Sequence, residues 1–254
     1  QITTRKLSSI TGSGHSLAMS AASSGYSPTA QMNHQTAGLA GLIKLKALRE
    51  QLKTPVERAA LLSRFRDLHS LITSADRQFL LIGEPEYEET LASPIAQTWQ
   101  SQTLGSALES FLLEPIRHSV AQAWTTSTQV NFCAQAFPTV PSNHKDHATL
   151  QVLAGFLRNG FLHSAIREKG GAYGGGASQD GSSASFRFYS YRDPRLDATL
   201  ADFNRSIDWL QTTHHPDNQL EEAILGVIAQ MDKPASPAGE AKAAFYNRVF
   251  GRGI

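Results

Sequence analysis

The stretch from Asn159 to Arg195 constrains the fold most, because a helical pattern there ends in charge, breaks into glycine and continues as a strand. Apolar residues recur at roughly helical spacing up to Ile166. They are Leu150, Leu153, Phe156, Leu157, Phe161 and Ile166. Residues 167–169 are Arg, Glu and Lys, and a cation suits the negative end of a helix dipole. Glycine takes the left-handed backbone that often ends a helix, so Gly170–Gly171 predict the helix stop.

Three further glycines follow, and without side chains they let one backbone lie flat against another. They are Gly174, Gly175 and Gly176. Gly181 then marks a turn into Ser185–Tyr191, whose aromatic residues predict a strand. We expect a mobile loop over Gly170–Asp180, because glycine restricts few backbone angles. Two interpretations stay open, a solvent-exposed hairpin with a flexible turn and a loop that touches a ligand.

Hydrophobic periodicity and capping residues predict the other elements of the chain. The predicted helices run from Ser27 to about Leu52, Thr54 to about Ile72, Pro85 to Trp99, Asp193 to about Leu210, Leu220 to Ile228 and Ala238 to Val249. Strands are predicted as short β-like runs within Ser8–Ser24, as a buried strand at Arg77–Gly83 and as an alternating pattern within Ala121–Phe137. The pattern loosens over Gln100–His118, where we place a boundary between two units.

A weak internal repeat links these elements. The order strand, turn with proline, helix, short link and helix occurs over His15–Ile72 and again over Ser183–Ile228. A strand at Phe79–Ile82 completes the first copy, and the second copy has no equivalent before the sequence stops. Both modules are therefore predicted to be truncated, as in a fragment of a longer protein.

Composition narrows the class of protein. The 254 residues are 41% apolar and 18% charged, which is typical of a soluble globular chain with one large or two modest domains. A net charge of +1 argues against a nucleic-acid partner. Apolar runs fall short of a membrane span, so no membrane partner is expected. The single Cys133 excludes an internal disulfide, and its strand-like surroundings predict a buried structural thiol.

The sequence IREKGGAYGGGAS, followed by a strand and by YRDPR, resembles the C-terminal half of zinc metallopeptidases of the pitrilysin and insulinase superfamily, in the presequence-protease branch. The segment GSGHSLAMSAASSGYSPTAQMNHQTAGLAGLIKLKAL at 12–48 extends the resemblance. It implies an α+β fold of mitochondrial processing peptidase-like domains, with mostly antiparallel sheets covered by helices. Residues 1–117 would end the third of four family domains, and residues 118–254 would form most of the fourth.

The resemblance also implies a set of site residues. In that superfamily an arginine and a tyrosine of this loop reach across a closed chamber to the zinc site of the other half and hold the peptide backbone. The matching residues are Arg167 and Tyr173, and the glycines 174–176 complete the predicted substrate-binding set. The structural alternative is that Arg167 caps its helix and pairs with an acid such as Glu168, while Tyr173 packs under the loop.

Zinc ligands are predicted to lie elsewhere. The inverted zinc motif of the superfamily, His-x-x-Glu-His, needs two histidines four residues apart, and none of the nine histidines has that spacing. His144 and His147 flank Asp146 near a predicted helix start, where such residues more often form a solvated surface. We therefore expect no metal site and no catalytic residue in this chain, with the zinc bound by an N-terminal half.

The resemblance predicts a non-catalytic, substrate-binding C-terminal half of a zinc-dependent metalloendopeptidase that degrades unstructured peptides in a closed chamber. Its partners would be the peptide substrate and the N-terminal catalytic half. The alternative is a zinc-free structural or binding subunit of the same fold, against which the intact stretch from Arg167 to Tyr173 argues. The expected compartment is the cytoplasm in a bacterium, and the mitochondrial matrix or a plastid in a eukaryote.

Overall fold

The computed structural model describes residues 10–100 and 113–251 of the chain. Internal contacts group these residues into two units, one of 10–47 with 113–233 and one of 48–100 with 234–251. Helices with antiparallel strands make the fold α+β, as predicted. Part of the predicted boundary region, 101–112, lies outside the described residues. The division into family domains at 117/118 and the two truncated modules stay predictions.

A three-stranded antiparallel sheet lies in the first unit. Its strands are β1 (Ala134–Pro138), β2 (Gly174–Asp180) and β3 (Ser185–Tyr191), in the order β1-β3-β2. Strand β2 is therefore an edge strand, and its register pairs Gly174 with Tyr191 and Asp180 with Ser185. The Asp180 carboxylate accepts a 2.9 Å hydrogen bond from the backbone N–H of Ser182, which closes the turn between β2 and β3. The hairpin predicted around Gly181 is thus formed.

Helices cover one face of the sheet and form the core with it. They are α6 (His147–Leu157), a π-helix (Arg158–Glu168) that continues it, and α7 (Asp197–Thr212), and α8 (Asp217–Met231) packs behind α6. Phe188 of β3 stacks on Phe203 and meets Phe186 edge-on, and Leu157 and Ile166 are fully buried in the same core. The apolar periodicity before Ile166 therefore marked a core face, as predicted, but its second half is a π-helix.

The first helix, α1 (Ile10–Ala22), covers the opposite face of the sheet. The ring of His15 lies 4.8 Å from that of Tyr191 and 5.7 Å from that of Tyr189. Gly14 packs so closely on Phe132 that an added Cβ would lie 2.4 Å from the ring. The β-like runs predicted for Ser8–Ser24 were wrong over the described residues, because burial against this aromatic face outweighs the low helix propensity of glycine and serine.

Two further helices follow, α2 (Pro28–Thr36) and α3 (Leu39–Gln51), and the first stretch of the first unit ends within α3, at Ala47. Ser27 caps α2 as predicted, since its side chain accepts a 3.1 Å hydrogen bond from the N–H of Ala30. The single predicted helix is interrupted at Gly38, where a Cβ would lie 2.9 Å from the Cα of His34. This tight turn requires glycine.

The second unit is helical where it has regular structure. It contains α4 (Pro55–Ser74), α5 (Glu88–Gln100) after a 3₁₀ turn (Pro85–Tyr87), and α9 (Pro237–Val249). The predicted strand at Arg77–Gly83 was wrong, since this segment is irregular and the four apolar residues 79–82 are exposed. No described residue of this unit forms a strand with which it could pair. Within the described ranges, no helix is both long and apolar enough to cross a bilayer.

Candidate functional site

The predicted site lies where the π-helix ends. Gly171 adopts a left-handed backbone with φ of +76°, and its N–H donates a 3.0 Å hydrogen bond to the carbonyl of Arg167. The N–H of Ala172 donates at 3.1 Å to the carbonyl of Ile166. Such glycine turns satisfy carbonyls that lack a partner within the helix. The predicted helix stop is therefore confirmed, with Gly171 as the residue that needs φ above zero.

Arg167 projects from this last turn into solvent. Its side chain is exposed and makes no hydrogen bond or ion pair with any residue that the structure describes. The neighbouring Glu168 instead lies 3.5 Å from the Nδ1 of His163. The pairing of Arg167 with Glu168, which the structural alternative invoked, is therefore not formed.

Tyr173 stands on the strand side of the same turn. Its backbone N–H donates to the carbonyls of Tyr191 at 3.1 Å and Arg192 at 3.4 Å, which fixes the main chain. The side chain is 66% exposed, and its ring meets that of Tyr191 edge-on at 5.5 Å between centroids. The guanidinium of Arg192 lies 5.9 Å from the Tyr173 ring and 5.3 Å from the Tyr191 ring. Tyr173 does not pack under the loop, and its hydroxyl makes no hydrogen bond with the described residues.

The three predicted glycines begin strand β2. A Cβ on Gly175 would lie 2.7 Å from Cγ2 of Ile166, and one on Gly176 would lie 2.9 Å from Cγ of Arg158. Both positions therefore let the π-helix pack closely on the edge of the sheet. A Cβ on Gly174 would meet no atom of another residue within 4 Å. Of the three, only Gly174 leaves open space in which a ligand backbone could approach.

A buried cluster of charged residues lies next to the site and was not predicted from the sequence. The Asp193 carboxylate is fully buried and accepts from the N–H of Arg195 at 2.9 Å and from the hydroxyl of Thr199 at 2.7 Å. Asp202 is 1% exposed, with its Oδ2 3.1 Å from Nη2 of Arg195, and Arg205 also pairs with it. The pattern Asp193-Pro194 was interpreted as a helix start, yet α7 begins only at Asp197. An aspartate side chain often accepts a hydrogen bond from the backbone N–H two residues later and so forms a turn. Asp193 followed by proline could have indicated such a turn in place of a helix start.

The face of the sheet under α1 carries a different set of groups. His15 packs between the rings of Tyr189 and Tyr191, and desolvation by burial lowers the pKa of its imidazole. Cys133 lies in the core on the other face, where burial raises the pKa of its thiol. Burial thus disfavours the charged form of both groups. Cys133 is buried, as predicted.

The histidines offer no zinc centre in the part of the chain that the structure describes, since no three side chains of His, Cys, Asp or Glu converge there. His144 lies 3.6 Å from the Oδ2 of Asp146, in a solvent-exposed pair at the start of α6. Arg167, Tyr173 and Arg192 carry no metal-ligating atoms of the kind zinc prefers. The exposed groups of the candidate site are hydrogen-bond donors, and they form no zinc centre among the described residues.

The sequence of this chain is similar to known proteins over most of its length. Residues 121–253 match the family model described as the PreP C-terminal domain, and residues 1–48 match a region associated with family M16 peptidases of subfamily C. The chain is 33% identical over 251 residues to the mitochondrial presequence protease of Emericella nidulans, covering 96% of this chain and 24% of that protein. It is 31% identical over 242 residues to that of Yarrowia lipolytica, covering 92% and 24%.

A shorter match is closer in sequence. The mitochondrial presequence protease of Drosophila melanogaster is 46% identical over 120 residues, which cover 46% of this chain and 11% of that protein. The chain spans about a quarter of the length of the fungal relatives described above. Because the family model matches more than half of its residues, the chain belongs to the PreP C-terminal domain family, in the C-terminal half of M16 peptidases.

Proposed function

We propose that this chain is the non-catalytic, substrate-binding part of a zinc-dependent metalloendopeptidase that degrades unstructured peptides in a closed chamber. The observation that carries the proposal is the exposure of Arg167 and Tyr173, before and after the glycine turn that ends the π-helix, in a member of a peptidase family. An exposed arginine that pairs with no described residue and a tyrosine hydroxyl are both donors available to a peptide carbonyl.

The two side chains have different duties in this proposal. The guanidinium of Arg167 presents a planar fork of donors that stays charged at every working pH, which suits it to hold the backbone of a bound peptide. The hydroxyl of Tyr173 donates to a peptide carbonyl oxygen as negative charge develops on it. Donors aimed at developing charge contribute more to the rate than donors that bind the ground state equally well.

Zinc would be bound by the N-terminal half of the same protein, which would also supply the catalytic groups. An extended substrate would gain affinity by pairing its main chain with a sheet edge of that half. The relatives are named as mitochondrial proteins. By analogy the compartment would be the mitochondrial matrix or a plastid in a eukaryote, and the cytoplasm in a bacterium.

The test is carried out in the full-length peptidase that contains this chain. Tyr173→Phe removes only the hydroxyl, and we expect kcat to fall by about 10²–10³-fold, as when one oxyanion donor is lost. Arg167→Lys should be nearly as damaging, because an ammonium cannot reproduce the fork. Melting temperatures should stay unchanged, because both side chains are exposed.

Matched controls separate these effects from the chemistry of the substitution. Tyr87 is 52% exposed and Arg64 is also exposed, and both lie in the second unit, so Tyr87→Phe and Arg64→Lys should leave turnover of a labelled peptide unchanged. Near-normal turnover in Tyr173→Phe would remove the catalytic assignment of this loop. A full-length protein without peptidase activity would instead support the alternative, a zinc-free structural or binding subunit.

A further inference from the structure

Arg195 joins the end of the π-helix to α7. Its Nη2 donates a 3.2 Å hydrogen bond to the carbonyl of Ala165 and lies 3.1 Å from the Oδ2 of Asp202. The Asp202 carboxylate is buried on α7, and its other oxygen pairs with the exposed Arg205. The hydrogen bond to Ala165 has an ionised donor, and such bonds are about twice as strong as those between neutral groups. The contact with Asp202 is an ion pair without hydrogen-bond geometry. The guanidinium of Arg195 is therefore held firmly against the helix end.

The carbonyl of Ala165 is one of the last four of the π-helix, which lack partners within it. The N–H groups of Gly171 and Ala172 satisfy the carbonyls of Arg167 and Ile166. Arg195 satisfies Ala165 from the opposite direction. The turn that carries Arg167 is thus fixed both by the glycine turn that follows it and by a side chain from a distant segment.

The local geometry is built to admit this side chain. A Cβ on Gly170 would lie 1.9 Å from Nη2 of Arg195, so any larger residue there would displace the guanidinium. The backbone of Arg195 is held by Asp193, which accepts from its N–H at 2.9 Å. Asp193 is tied in turn to Asn131 by two backbone hydrogen bonds of 2.7 and 2.9 Å. Hydrogen bonds therefore fix the backbone from which the Arg195 side chain extends.

The same segment also holds Tyr173. The carbonyls of Tyr191 and Arg192 accept from its N–H, and these residues lie only a few positions before Arg195. One stretch of backbone, residues 191–195, consequently contacts both sides of the site. Its contact with Tyr173 is through the main chain, and its contact with the turn of Arg167 is through the Arg195 side chain.

We propose that Arg195, held by Asp202, is a positioning residue that sets the placement of Arg167 relative to Tyr173. Arg195 does not itself touch the substrate. The expected effect on turnover rests on the proposed function. The claim that Arg195 fixes the turn of Arg167 does not depend on that function. Loss of the guanidinium would free the last π-helical turn while the apolar core beneath, built on Ile166 and Leu162, stays in place.

The experiment compares Arg195→Gln with Arg205→Gln in the full-length peptidase. Both variants remove one cation from Asp202, but only the first removes the contact with Ala165. We expect Arg195→Gln to lower kcat by about 10–100-fold with KM changed less than about threefold, because small misplacement of a catalytic contact costs rate more than binding. Arg205→Gln should keep kcat near the wild-type value, and Arg195→Lys, which retains one donor, should recover part of the loss.

A double mutant identifies the route of the effect. Residues that act through one another are not additive. Adding Arg195→Gln to Arg167→Lys should therefore cost little beyond Arg167→Lys alone, whereas a full multiplicative loss would overturn the proposal. Arg195→Gln with Asp202→Asn removes the Asp202 charge together with its cation, so this pair keeps the test valid if the single variant folds poorly.

Hydrogen exchange provides a readout that does not depend on turnover. Amides within 166–173 should exchange more than about tenfold faster in Arg195→Gln than in the wild type, and should be unchanged in Arg205→Gln. Equal exchange in all three proteins would overturn the positioning role. If Arg167→Lys turns over peptide normally, the proposed function fails, and the exchange rates alone then decide whether Arg195 fixes this turn.

Discussion

Arg192 has a backbone φ of +49° although it carries a Cβ, and it does so beside Tyr173. Residues other than glycine rarely adopt this conformation, and strain of this kind concentrates at functional sites. The turn directs the Arg192 guanidinium over the rings of Tyr173 and Tyr191. The resemblance predicted Arg167 and Tyr173 from a loop sequence, but the support given by Arg192 depends on a backbone angle that no local pattern indicates.

Asp180 provides a test of charge at the turn between β2 and β3. Burial alone would raise the pKa of this carboxyl, but the guanidinium of Arg187, 2.8 Å away, and hydrogen bonds from Ser182 and Ser183 outweigh it and hold the pKa below its usual value. A carboxyl whose pKa is lower in the folded state stabilises the fold at pH values above its unfolded pKa, near 3.8, and this stability is lost as the pH falls through the folded pKa.

Asp180→Asn should therefore lower the free energy of unfolding at pH 7 and flatten its decline on acidification below about pH 4. Urea unfolding followed between pH 7 and pH 3 measures both effects. The exposed Asp208 on α7 offers a control, and Asp208→Asn should keep the wild-type pH profile. An unchanged profile for Asp180→Asn would show that the ion pair with Arg187 contributes nothing to stability.

At the scale of elements, tertiary packing decides whether the glycine-rich segment forms a loop or a strand, which its local sequence does not determine. A mobile loop was expected over Gly170–Asp180, but Gly174–Asp180 is a strand paired along its whole length with β3. A glycine-rich sequence is compatible with a mobile loop and with a paired strand. Side chains are excluded at Gly175 and Gly176 because the π-helix lies against them. The opposite error was made at Arg77–Gly83, where a strand was predicted and the segment is irregular. Its apolar run has no strand to pair with among the described residues of its unit.

Alanine substitutions at these glycines separate packing from ligand binding. Gly175→Ala places a methyl group 2.7 Å from Ile166 and 3.1 Å from the carbonyl of Tyr189, and overpacking of this kind costs about 1–3 kcal/mol. Gly174→Ala meets no neighbour, so its stability should match or slightly exceed the wild type. Thermal unfolding of both variants tests this difference, and equal melting temperatures would contradict the packing role of Gly175.

Turnover of the same two variants then tests the site. If a bound peptide backbone approaches β2 at Gly174, Gly174→Ala should raise KM or lower kcat without loss of stability. Normal kinetics in Gly174→Ala would remove this glycine from the predicted substrate-binding set. Gly175→Ala is informative in this assay only at temperatures well below its own melting temperature.

At the scale of the whole molecule, family membership was available from the sequence because the loop motif is long and has a distinctive order of residue types. The helices of the second unit followed from periodicity and proline, as in Pro55–Ser74. The π-helix was not predicted, and neither was the contact of Arg195 with Ala165, which joins segments 30 residues apart. Local patterns report on neighbours within one or two turns and do not report such contacts.

The proposed division of labour between two halves leads to the last prediction. None of the nine histidines has the four-residue spacing of a His-x-x-Glu-His motif, and no three possible ligands converge in 10–100 or 113–251. The purified chain should therefore bind zinc substoichiometrically and cleave no peptide, because a stable zinc site takes three or four protein ligands. Metal analysis and a labelled-peptide assay test both points.

Adding the separately purified remainder of the full-length protein, with its N-terminal half, should restore cleavage in the wild type and only weakly in Tyr173→Phe, since the hydroxyl would act on the peptide that the other half holds. The complementation assay also distinguishes two ways in which the assignment could be wrong. If both mixtures cleave equally well, the chain serves only to complete the chamber. If one zinc binds tightly to each chain before mixing, the histidines have been misassigned and the catalytic centre must be sought among them.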